Sequence, residues 1–80
     1  MELSDYRVQM DEIDRQLVDL FAKRMQTAAE IAAWKKAHDV PVLDAARERK
    51  KLAAVAALAP EALREQVVTR YDVLFELSRC

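Results

Sequence analysis

Residues 4–38, SDYRVQMDEIDRQLVDLFAKRMQTAAEIAAWKKAH, read as one uninterrupted helix, and that reading decides the fold. The stretch holds neither glycine nor proline; alanine, leucine, glutamate, lysine, arginine and glutamine dominate the chain, and no run alternates apolar and polar with a period of two. Ser4 or Asp5 is placed to cap its start. Pro41 pushes Val40 out of helical geometry, so the helix is expected to stop near His38. About 35 residues at ~1.5 Å each give ~50 Å, whereas a compact globule of this size is only ~30 Å across. The apolar stripe nevertheless runs almost from end to end: Leu3, Tyr6, Met10, Ile13, Leu17, Leu20, Phe21, Ala28 and Ile31. Most of it would overhang a single chain. The expected architecture is therefore an intertwined homodimer, in which the same helix of a second copy covers the stripe.

Beyond this helix, Pro41 and Pro60 are the only strong breakers, and the chain has no glycine. Asp44 is a natural N-cap for a second helix with Leu52, Val55, Ala56 and Ala59 on one face, ending near Pro60. Pro60 suits the first position of a third helix, whose stripe is Leu63, Val67, Tyr71 and Leu74. The fold class is all-α, with one very long and two shorter helices, and residues 1–80 form a single domain. The chain ends at Cys80 without a capping signal or polar tail, as a domain excised from a longer polypeptide would.

Composition narrows the function. With 13 basic and 14 acidic residues the net charge is −1, which gives no broad positive field for nucleic acid or an anionic membrane. Any anion site must be local. The single cysteine, Cys80, allows no intrachain disulfide and fits a reducing, cytoplasmic setting; it reads as a terminal spectator. The acidic N-terminus lacks a signal-peptide core, and the longest apolar run, Leu52 to Pro60, is too short to span a bilayer. No Ser-His-Asp set, P-loop, dinucleotide fingerprint or zinc spacing is present, and His38 has no second metal ligand in view. Trp34 falls off the centre of the stripe and is expected to pack against another helix. Arg47, Arg49, Lys50 and Lys51 read as a solvated helix face.

Some charges fall on the wrong face. At ~100° per residue, Arg24 and Lys35 lie within ~40° of Met10, near the centre of the stripe, with Arg7 on its margin. Glu48 shares a face with Leu52, Val55 and Ala59, and Ser78 continues the line of Val67, Tyr71 and Leu74. Inward cations lose several kcal/mol of solvation each, in order-of-magnitude terms, unless an anion compensates. Two readings fit. Arg24, Lys35 and Glu48 can form a structural ion-pair network with ends reaching solvent, or they can line a pocket for a small polyanion that carries a hydroxyl group. One carboxylate cannot neutralise two or three cations, which speaks for the pocket, although Asp14 also lies near the stripe and could take up one charge.

Arg7, Asp11-Glu-Ile-Asp14, Leu17, Leu20, Lys23-Arg24-Met25, Ala32 and Lys35, followed by Pro41-Val42-Leu43-Asp44-Ala-Ala-Arg47-Glu48-Arg49, resemble the all-helical (AroQ-type) chorismate mutases. The likeness runs from about Leu3 to Lys51 without a gap and is looser at Leu74-Phe75-Glu-Leu-Ser78; it is strongest to mutase domains fused to prephenate dehydratase. The resemblance implies a rearrangement of chorismate to prephenate that needs no cofactor or metal. It also implies that Arg24 and Lys35 of one subunit and Arg7 of the other hold the two substrate carboxylates, with Lys35 donating to the ether oxygen. Asp44 and Glu48 would meet the ring hydroxyl, Arg47 would shape the same wall and Ser78 would face a carboxylate. The catalytic set is thus Lys35, Arg24 and Glu48. One departure stands: the family's third helix supplies a glutamine one turn beyond the serine, and this sequence stops two residues short of it. The rival readings are an isochorismate-pyruvate lyase of the same fold and a non-catalytic module that binds an aromatic metabolite or only dimerises.

Overall fold

A computed structural model describes residues 1–79, so Cys80 lies outside the described residues. Helix α1 spans Leu3–Ala37, α2 spans Ala45–Leu58 and α3 spans Arg64–Arg79, with a short 3-10 turn at Glu61–Leu63 before α3. No strand occurs among the described residues. The fold is all-α with one long and two shorter helices, as the breakers and periodicities require. The chain divides into two units, residues 1–30 and 31–80.

The first unit is almost wholly helix from Leu3 onwards. Its start comes earlier than Ser4 or Asp5. The Glu2 carbonyl accepts from the Asp5 and Tyr6 amides at 3.0 and 3.3 Å, and the Asp5 carboxylate reaches back to the Glu2 amide at 2.9 Å. Asp5 therefore works as the returning half of a capping box, where its charge also favours the helix N-terminus. Arg15 pairs with Glu12 at 3.0 Å and Lys23 with Asp19 at 3.3 Å, spacings that put partners side by side on the helix surface. These exposed pairs contribute at most a few tenths of a kcal/mol each. Every residue from Met1 to Lys23 is exposed, the stripe included: Leu3 by 62%, Met10 by 58% and Leu17 by 60%. Burying one such side chain is worth about 1.5–3 kcal/mol, so the chain by itself leaves its largest source of stability unused.

In the second unit α2 packs against α3. Val55 and Phe75 are its buried side chains, flanked by half-buried Leu52, Ala56, Ala59, Val67, Val68, Tyr71 and Leu74. The α2 face is the one its periodicity predicts. On α3 the face is turned towards Val68 and Phe75, and Phe75 meets Tyr71 edge-on with ring centres 5.9 Å apart. Leu63 drops out at 45% exposure, because Pro60 starts the 3-10 turn and the α-helix proper begins only at Arg64.

Asp44 is the N-cap of α2, in extended geometry, with Oδ1 accepting the Arg47 amide at 3.0 Å. Asp44→Ala is expected to cost about 1 kcal/mol of stability, while Asp44→Asn, an equally good cap, leaves it within a few tenths. Paired denaturant titrations check this, and equal losses in the two variants would show that the cap does not matter.

Candidate active site

Burial selects among the charges. Among the described residues, the charged side chains that are not exposed are those of Arg24, Lys35 and Glu48, each half-buried. These are the three residues that stand inward by helical phase. Arg7, Asp44 and Arg47 are exposed, and Ser78 is half-buried.

Arg7 and Arg24 belong to the first unit. Seventeen residues of rise separate them, about 25 Å along one rigid helix, so the pair from one chain cannot close on one small ligand. The other predicted residues lie in the second unit. Lys35 sits in the last turns of α1 and its Nζ donates to the Val42 carbonyl at 3.3 Å. Asp44 caps α2 and draws the Arg47 amide onto its carboxylate. Glu48, one turn further on, lines a depression of about 180 Å³ with Ala45, Arg49, Leu52, Asp72 and Phe75. Ser78 Oγ donates to the Leu74 carbonyl at 2.6 Å.

The end of α1 is built without glycine. Asp39 takes the left-handed conformation, φ 56°, that glycine usually supplies. The Val40 amide then reaches the Lys35 carbonyl at 2.8 Å and the Asp39 amide faces the Lys36 carbonyl at 3.5 Å, which is the Schellman pattern. His38 adds a second cap: Nδ1 lies 2.7 Å from the Trp34 carbonyl, and since a carbonyl only accepts, Nδ1 carries the proton. Trp34 stacks on His38, in the turn just after α1, with ring centres 3.9 Å apart, and is 56% exposed in the single chain. The sequence reading missed both this turn and the Val42 acceptor. The available signal was an aspartate two residues before Pro41, at a helix end where glycine is usual.

No group of three potential metal-ligating side chains occurs among the described residues, and none of the helices is long and apolar enough to cross a membrane. The second unit carries the Lys35 ammonium, the Glu48 carboxylate and the Ser78 hydroxyl on helical supports. Such a set can hold and orient an anion and stabilise developing charge.

The T-protein of Haemophilus influenzae is 37% identical over 46 residues, which make up 58% of this chain and 12% of that protein. The chain thus spans a small part of the relative's length. The finer likeness, to domains fused to a prephenate dehydratase, is carried by neither comparison. No solved structure gives a significant match. The family model described as chorismate mutase type II matches residues 6–80, which include every predicted site residue, and the chain belongs to that family.

Proposed function

We propose that the chain rearranges chorismate to prephenate in a site shared by two copies. The observation that carries this reading is the selective burial of Arg24, Lys35 and Glu48 in a chain whose other charged residues described are exposed. Membership of the chorismate mutase family supports the substrate and the reaction. Arg24 and Lys35 of one subunit and Arg7 of the other hold the two carboxylates, while Asp44 and Glu48 meet the ring hydroxyl. Arg47 completes that wall and Ser78 faces a carboxylate. The cations fold a flexible dianion into a compact, chair-like conformer, which removes part of its freedom before reaction. The C–O bond then breaks as the new C–C bond forms within one molecule, without a nucleophile or proton transfer. Charge grows on the ether oxygen, where the Lys35 ammonium stabilises it more in the transition state than in the ground state.

The exposed stripe of α1 supports pairing, and a joint hold of Arg7 and Arg24 on one ligand would require it. A cytoplasmic setting fits a chain with one cysteine. Arg7→Ala and Arg24→Ala are each expected to remove most chorismate consumption. Mixed and allowed to exchange subunits, the two variants regain it, because a heterodimer rebuilds one intact site. Continued inactivity after proven exchange would exclude a shared site, and an unmutated chain that leaves chorismate untouched would exclude the reaction.

A further inference from the structure

We infer that the turn joining α1 to α2, residues 38–43, is a positioning device for the Lys35 ammonium, acting through the Val42 carbonyl. Both polar ends of Lys35 are engaged by this one turn: its carbonyl accepts the Val40 amide at 2.8 Å, and its Nζ donates to the Val42 carbonyl at 3.3 Å. The return of the chain depends on Asp39, which among the described residues is the one non-glycine residue with positive φ. Pro41 then fixes the backbone one residue before Val42. A left-handed aspartate next to a helix C-terminus is locally unfavourable, both by conformation and by charge. The turn keeps it, and in doing so brings an acceptor over the half-buried lysine.

The chemistry of the acceptor matters. A carboxylate partner would orient the ammonium and neutralise it, whereas a carbonyl orients it and leaves the full charge for an anionic ligand. The distance is longer than the usual 2.7–2.9 Å or so of a charge-assisted bond. Two of the three ammonium protons stay available, and the third is held lightly. Lysine is among the side chains that lose most freedom when fixed, so holding it before the ligand arrives moves that cost out of the binding and reaction steps. The effect on turnover rests on the proposed role of Lys35; the positioning itself does not.

Asp39→Val and Asp39→Gly test it, since both remove the carboxylate but only glycine tolerates the left-handed turn. Lys35 acetylation by acetic anhydride, read by mass spectrometry against exposed Lys50, reports the held ammonium without any assay of activity. Asp39→Val is expected to raise Lys35 acetylation relative to Lys50 and to lower kcat about tenfold with a smaller change in KM, within the loss of up to about a hundredfold that a misplaced group can cause. Asp39→Gly restores both to the wild-type values. Should Asp39→Val lose helix by circular dichroism, an amide-to-ester replacement between Val42 and Leu43 decides the matter. It weakens the Val42 acceptor with every side chain in place, and Lys35 acetylation should rise. Acetylation equal to wild type in the ester protein, or in a folded Asp39→Val, overturns the inference. An acetylation contrast that persists while Lys35→Ala turns over chorismate normally leaves the positioning intact and removes the catalytic reading instead.

Discussion

Lys35→Ala is expected to lower kcat for chorismate by roughly two to three orders of magnitude, the size of effect seen when one preorganised donor to a developing oxyanion is removed. The proposed rearrangement passes through no covalent bond to the enzyme, so the rate rests on charge stabilisation and orientation. Loss of fold does not explain such a drop. The bond from Nζ to the Val42 carbonyl is long and open to solvent, and a bond of that kind contributes about 1 kcal/mol or less to stability. Chorismate consumption at saturating substrate, together with a denaturation curve, separates the two effects. Near-wild-type kcat in this variant would show that Lys35 does not serve the ether oxygen.

Phe75→Ala is expected to cost about 3–5 kcal/mol of stability, the usual range for emptying a buried aromatic site. Phe75 and Val55 are the buried side chains between α2 and α3, and Phe75 also braces Tyr71. Small domains have only about 5–15 kcal/mol in total, so the loss threatens the packing of the second unit as a whole. Phe75→Leu keeps the site apolar and retains much of its volume, and should cost less than half as much. Denaturant midpoints at one fixed protein concentration give the comparison. A shift of less than about 1 kcal/mol for the alanine variant would mean that the two helices are held by something other than this contact. Phe75 also lines the depression that contains Glu48, so turnover should fall along with the folded fraction.

The helices were legible because their signals are local and redundant. Residues 4–38 lack any breaker, Pro41 and Pro60 punctuate the rest, and Asp44 sits where a cap is needed. The inward charges were legible as well, since helical phase alone put Arg24, Lys35 and Glu48 on apolar faces and these are the charged residues that burial picks out. Phase was less informative on α3. Val67, Tyr71 and Leu74 of the predicted stripe are half-buried, but Leu63 falls in the 3-10 turn before α3 and is exposed, and the stripe left out Phe75, the buried residue beside it. The closing turn of α1 was hidden for a different reason. Its key residue is an aspartate doing what glycine normally does, and its key acceptor is a backbone carbonyl, which every residue carries and no side-chain pattern reveals.

The exposed part of α1, from Leu3 to Lys23, has a kinetic counterpart. Helical turns close within microseconds from neighbouring residues, so secondary structure forms long before two molecules at micromolar concentration collide. If a second molecule supplies what Leu3, Met10 and Leu17 lack, recovery from denaturant becomes a second-order process whose half-time shortens as protein is added, and catalysis fades on dilution as partners separate.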